Sequence, residues 1–424
     1  MGFVKKLREK MNRYDFLKNV VVLLSGSSVA LLIPVLMTPI LTRLFTPDDF
    51  GVWGTFYAIV GIFSVIANGR YELALLLPKG DREAFNLFSG SLLIAFFLSV
   101  ALIIPVVFWG QQASEALEMP ALAPWLWLVP IAVFTNGIIQ AANYWHNRSK
   151  RFGVLSVGRV VQSFSTAAIN LGIGEFSYFS GGMIVASVIG QIFLSFHYML
   201  KIRIRRLMKL VSFDQIGKVL VKYKAFPVKS GAGIFLNILK EQAPIFFLGI
   251  YFDVAIVGFY SLVIRLFNVP LSLVAGSIGQ VYYQKAVEMK NNGRSVFDLY
   301  KKTTLRMILA ILIPVAAVMI WGDQIFGVVF GSDWTEAGKI LVIFTVYYAV
   351  RFVVSSQSSL LLVFQRLNIE VLFNFTALLL QIASLVVGGL QHDYYLSLYL
   401  MSISGTFIYA LLGVYLWVYL KHRK

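Results

Sequence analysis

The chain has 424 residues; 58% are hydrophobic, 13% are charged and none is cysteine. A soluble domain carries about a quarter charged residues, so this composition belongs to a multi-pass membrane protein. Disulfides, thiolate metal sites and a cysteine nucleophile are excluded. The net charge of +17 could suggest a nucleic-acid partner, but its distribution along the chain says otherwise.

Residues 1–19 place Phe3, Leu7, Met11, Tyr14 and Leu17 at helical spacing among six basic residues, the pattern of a short amphipathic helix lying on the cytoplasmic leaflet. Apolar runs long enough to cross a ~30 Å hydrocarbon core as helices then recur to the end of the chain. Six are expected at about 20–44, 51–69, 84–109, 122–145, 153–173 and 181–200. A basic connector at 201–229 separates them from six more, at about 230–250, 255–279, 303–321, 338–363, 370–389 and 395–420. The fold class is therefore all-α: two lobes, 20–200 and 230–424, around a central cavity. With the spans drawn this way, thirty of the 37 Lys and Arg fall in loops on the side of the amino terminus; only Arg43 and Lys339 lie on the other. By the positive-inside rule both termini are cytoplasmic. Basicity here reports topology, and no nucleic-acid partner is expected.

The outer loops are short, the longest running from Gly322 to Gly338. A weak internal repeat relates the halves. Pro39, Asp49 and Gly54 match Pro244, Asp253 and Gly258 at nearly constant offset, and Trp109-Gly110-Gln111-Gln112 matches Trp321-Gly322-Asp323-Gln324. Six helices per half imply parallel repeats with a site between them.

No Walker A loop, zinc-ligand spacing or G-x-S-x-G motif is present, so no enzyme activity and no bound cofactor is expected. Asp48 and Asp49 lie where a membrane glycosyltransferase or polymerase could keep a catalytic acid. Such an enzyme needs an outer domain, and FTPDDFG reads as a turn capping the second helix.

The buried charges carry the functional signal. Lys240 and Glu241 lie about ten residues into the seventh span, some 15 Å deep at 1.5 Å per residue. Arg265 in the eighth span and Arg351 in the tenth lie at similar depth. A charge at mid-bilayer needs a partner or a wet cavity. The excess is positive, which suits an anionic substrate such as phosphate or diphosphate. Internal ion pairs locking the helices together are the alternative. Lys240 and Glu241 point ~100° apart and cannot share one narrow partner. Arg70, Glu72 and Arg43 are gate candidates, and Arg70 and Glu72, two apart, are not expected to pair on a helix. Arg159 lies near the inner end of the fifth span, where it can snorkel.

TRLFTPDDFGVWGTF (Thr42–Phe56), NGRYELALLLPK (Asn68–Lys79) and VFGSDWTEAGKIL (Val329–Leu341) resemble motifs of the bacterial oligosaccharide (O-antigen, Wzx-type) flippases. These belong to the polysaccharide transporter family, within the multidrug/oligosaccharidyl-lipid/polysaccharide exporter superfamily. The resemblance implies a two-lobed bundle in the bacterial inner membrane. By alternating access it would move an undecaprenyl-diphosphate-linked oligosaccharide from the cytoplasmic to the periplasmic leaflet for surface polysaccharide biosynthesis. It also implies a cationic cavity, a tail left among membrane lipids, and a polymerase and glycosyltransferases as pathway partners. Coupling to an H+ or Na+ gradient would fall to Glu241, the mid-membrane acid. A cation-coupled small-molecule (multidrug-type) antiporter is the alternative, whose cavity should favour acids.

Overall fold

The computed structural model describes residues 28–176, 181–202, 207–271 and 276–422. The expected helix at 1–19 and the start of the first span lie outside them. Among the described residues the chain is all-helical, with no strand. In order, the helices are α1 Ser28–Leu44, α2 Pro47–Ile66, α3 Asp81–Ala116, α4 Val129–Arg148, α5 Phe152–Phe176 and α6 Gly182–Lys201. The amphipathic α7, Phe213–Lys222, leads into α8 Ala225–Tyr251, α9 Val254–Pro270 and α10 Gly276–Asn291. There follow α11 Phe297–Phe330, α12 Thr335–Ser355, the short α13 Ser359–Val363, α14 Leu367–Leu390 and α15 Tyr394–Lys421. Ten helices among the described residues are long and apolar enough to cross a membrane, and α1 and α9 are shorter apolar helices at two further expected places.

One expectation is corrected. The segment Gly322–Gly338 is not a loop: α11 continues through it to Phe330, a 3₁₀ turn covers Ser332–Trp334, and α12 starts at Thr335. Its Asp and Gln residues sit on a helix that runs past the apolar run. Part of the expected eighth span, 272–275, lies outside the described residues, between α9 and α10.

The helices form two compact units. The first contains the described residues to Leu41, Phe56–Ser114 and Pro120–Phe235. Its core joins Phe85, Phe88 and Trp145, whose rings lie 5.4–5.5 Å apart, to Leu155, Leu194, Tyr198 and Val219. α5 and α6 approach closely at Gly158, where a Cβ would stand 2.4 Å from the Tyr198 ring. α7 buries Ile216 and Val219 against this unit, as its apolar spacing requires. Asn86 fastens the connector by donating to the Leu210 carbonyl (2.9 Å) and accepting from the Ser212 amide (3.0 Å). Lys222 pairs with Glu83 at 2.5 Å.

The second unit holds Thr42–Thr55, Glu115–Met119 and Leu236 onward. The Thr46 hydroxyl accepts from the Asp49 amide (3.3 Å), and the Asp49 carboxylate accepts from the Thr46 amide (2.9 Å). This reciprocal capping box starts α2, so Asp49 has the capping role expected of it. The start of α2 lies directly on α9: a Cβ on Gly258 would stand 1.8 Å from the Pro47 carbonyl oxygen. Only glycine allows that approach, which gives the repeated Gly54 and Gly258 a packing reason. Trp334, 1% exposed, donates its indole N–H to the Thr42 carbonyl at 2.9 Å and packs edge-on against Phe50. In contrast, α11 leaves Leu309, Leu312, Ile313, Ile320 and Val328 exposed, a face suited to lipid chains.

Candidate functional site

Lys240 and Glu241 sit mid-way along α8, and their divergence separates their partners as expected. The Lys240 ammonium donates to Asn374 Oδ1 of α14 at 2.8 Å and stands 5.5 Å from the Phe373 ring centre. Its side chain is 5% exposed. Glu241 accepts from Arg351 Nη2 of α12 at 2.6 Å. Arg351 also reaches the Tyr347 hydroxyl at 3.4 Å and lies over the Tyr348 ring. The result is one guanidinium answered by one carboxylate, and one ammonium answered by a carboxamide and an aromatic face.

All three charged side chains line one cavity of about 80 Å³ within the second unit. Tyr260 and Asn268 of α9, Gln381 of α14, and Ser404 and Tyr409 of α15 complete its walls. A space of about 10–15 Å³ suffices for one water, so the cavity holds several waters or a small ion. A diphosphate-sugar head is far larger. The mixture of charges, carboxamides and hydroxyls lets every buried charge find a polar neighbour, which a low-dielectric interior requires.

The other candidates lie elsewhere. Arg265 is half-buried on α9 with its guanidinium 5.2 Å from the Trp53 ring centre, outside the cavity lining. Arg43, at the end of α1, is exposed. Arg70 and Glu72 do pair, Nη1 to Oε1 at 3.3 Å, against expectation. The helical argument fails because Arg70 adopts φ +63° in a left-handed turn ahead of a 3₁₀ segment, Tyr71–Leu76. Reversal of the chain there turns the guanidinium back over the carboxylate. Glu72 is 1% exposed, and burial holds its carboxyl above the ordinary carboxylate range, opposed by its backbone hydrogen bond and by Arg70. Its Oε2 atom has no hydrogen-bond partner.

Asn374, Gln381, Asn268 and the tyrosines around Arg351 went unread in the sequence. Each is an ordinary polar residue in an apolar helix, far along the chain from the charge it serves. Asn374 is 134 residues from Lys240, and no local spacing marks it. Among the described residues no group of His, Cys, Asp and Glu could hold a metal ion.

An all-helical membrane bundle with a charge-lined cavity is a transporter's architecture, and a family model described as polysaccharide biosynthesis protein matches residues 40–339. The chain belongs to that family. No curated protein sequence matches it. Among solved structures it is similar to an inward-facing multidrug resistance MATE family transporter of the MOP superfamily. The TM-score is 0.73 and the identity 13%, with 95% of this chain and 97% of that chain covered. It is similar also to the lipid II flippase MurJ in an inward closed conformation, at TM-score 0.72 and 13% identity over 94% and 87% of the two chains. A third is a MOP superfamily transporter from Pyrococcus furiosus, at TM-score 0.57 and 12% identity, with 96% of each chain covered. At such identities the likeness establishes the fold. These neighbours are transporters and a flippase.

Proposed function

We propose that the protein is a flippase for a polyprenyl-diphosphate-linked oligosaccharide, carrying it from the cytoplasmic to the periplasmic leaflet for surface polysaccharide biosynthesis. The observation that carries this reading is the cluster of buried Lys240 with half-buried Glu241 and Arg351. Two cations against one acid, in a membrane protein of polysaccharide biosynthesis, suit an anionic head group better than a cationic drug. That the lipid II flippase MurJ shares this fold supports transport of a lipid-linked sugar.

At about 80 Å³ the cavity is a latch rather than a seat for the sugar. Glu241 holds Arg351 while no substrate is present. Coupling to an H+ or Na+ gradient falls to Glu241, whose carboxylate holds Arg351; once released from it, the guanidinium fork is left to a diphosphate. Arg265, on the next helix, supplies a second cation, while Arg70, Glu72 and Arg43 act at gates. The two repeats, 20–200 and 230–424, serve as lobes, with 201–229 as connector. The protein works in the bacterial inner membrane with both termini cytoplasmic and a polymerase and glycosyltransferases in its pathway.

In cells dependent on this protein, Arg265→Ala and Arg351→Ala are expected to reduce surface polysaccharide while the protein still reaches the membrane. Normal polysaccharide in both variants would overturn the reading. Excess sensitivity to cationic drugs in cells lacking the protein, with intact polysaccharide, would favour the antiporter.

A further inference from the structure

The connector helix α7 carries three arcs rather than the usual two. At ~100° per residue, Ile216, Val219 and Leu220 fall on one arc, where Ile216 and Val219 are 6% and 5% exposed. Phe213, Gly217 and Val221 fall within ~80° of one another on the next, where Phe213 is 83% and Val221 65% exposed. Asp214, Lys218 and Lys222 fill a third arc of ~80°, and all are exposed. The first arc is taken up by the protein: a Cβ on Gly90 of α3 would stand 3.1 Å from Leu220 and 3.2 Å from Ile216. A helix docked on a core needs one apolar face inward and a polar one outward. The second apolar arc is surplus to that.

The place of α7 along α3 bears on what covers this arc. α7 and the residue before it meet α3 at Glu83, Asn86 and Gly90, within roughly its first three turns. α3 has 36 residues and is about 54 Å long, well beyond the ~30 Å hydrocarbon core. Asp81, Arg82 and Glu83 precede the apolar run that starts at Ala84, so these turns straddle the membrane boundary. A helix at that level has head groups and acyl chains within reach. Apolar side chains beside basic ones match acyl chains beside phosphates. The connector 201–229 holds nine Lys and Arg against one acid, Asp214, and Lys209 and Lys224, flanking α7, are exposed. Lys218 pairs with Asp214 at 2.6 Å, with the two side chains 66% and 65% exposed. So open a pair contributes little and leaves the ammonium able to meet a phosphate. A second copy of the chain, equally basic here, would be repelled.

We propose that α7 is a membrane anchor whose ligand is anionic phospholipid. Phe213, Gly217 and Val221 lie among the acyl chains of the cytoplasmic leaflet, while Lys209, Lys218 and Lys224 meet its phosphates. The choice of leaflet rests on the cytoplasmic placement of the termini and not on what is transported. Tyr71 donates its hydroxyl to the Leu220 carbonyl at 3.1 Å, so the anchor also braces the turn that carries Arg70 and Glu72.

The chain has no cysteine, so a nitroxide on a single introduced cysteine reports its own surroundings. A Cβ on Gly217 meets nothing within 4 Å, and Gly217→Cys therefore labels the apolar arc with Phe213 and Val221 in place. Lys218→Cys labels the charged arc, and Val221→Cys is a second apolar site should Gly217→Cys fail to fold. The full-length protein is placed in phosphatidylcholine vesicles containing phosphatidylglycerol. There the Gly217 label is expected to collide more with oxygen, which concentrates in lipid, than with a water-soluble nickel chelate, and the Lys218 label the reverse. Vesicles of phosphatidylcholine alone should lower the oxygen preference at Gly217 at least about twofold, and Lys209→Gln/Lys218→Gln/Lys224→Gln should remove that dependence. A Gly217 label open to nickel puts the arc in water, and one shielded from both reagents puts it under protein; either overturns the anchor. The same preference in both lipids overturns the anionic ligand. Reaction of Lys218→Cys with an impermeant maleimide in intact spheroplasts overturns the cytoplasmic leaflet. A protein that passes these tests and moves no lipid-linked sugar would sink the flippase reading and leave the anchor standing.

Discussion

Two Glu–Arg pairs lie inside this protein, and they are built differently. Glu241 and Arg351 stand on regular helices, meet at 2.6 Å and have tyrosines, a lysine and carboxamides around them. Glu72 and Arg70 stand on a turn, meet at 3.3 Å, and leave Glu72 Oε2 and Arg70 Nε without partners among the described residues. The first pair is a satisfied network, in which each charge depends on the other. The second is strained at Arg70, with φ +63°, and its carboxyl is easier to protonate than usual. The two pairs thus differ chiefly in the polar groups that surround them.

Breaking the first pair is expected to have the largest effect. Arg351→Ala or Glu241→Ala leaves one half-buried charge unanswered and should lower stability by about 2 kcal/mol, read as unfolding in detergent. The double variant should lose less than the sum of the singles; additive losses would mean the pair is not coupled. Next is a pH effect at the second pair. The folded-state pKa of Glu72 is raised above its unfolded value. Its stabilising contribution is therefore full below the unfolded pKa and is lost as pH rises through the folded one. Acidifying from about pH 7 to about pH 5 should raise the unfolding temperature of the wild type more than that of Glu72→Gln. Equal slopes would show that Glu72 does not titrate in that range. A smaller loss, about 1 kcal/mol, is expected for Thr46→Ala, which removes a capping hydroxyl without touching either pair. A loss as large as that of Arg351→Ala would place the α2 turn among the main supports of the second unit.

Much of the fold was legible because membrane spans announce themselves as long apolar runs. The split between Lys240 and Glu241 was legible too, from helical geometry alone. The pairing of Arg70 with Glu72 was not, since a left-handed residue cancels the helical spacing that the argument assumed. The outward extension of α11 was hidden because Asp323, Gln324 and Asp333 read as loop residues, although a helix beyond the apolar core can carry polar side chains. Trp53 beneath Arg265 and Asn374 beside Lys240 are contacts between distant parts of the chain. No periodicity in a single sequence records them.

The central claim is that this fold moves a lipid-linked sugar and that Arg351, held by Glu241, is the cation released to it. The most direct measurement is flipping of a fluorescent polyprenyl-diphosphate oligosaccharide in vesicles containing the purified protein, with and without an imposed proton gradient. The account predicts gradient-dependent flipping by the wild type and none by Arg351→Ala. Flipping by Arg351→Ala at the wild-type rate would contradict it.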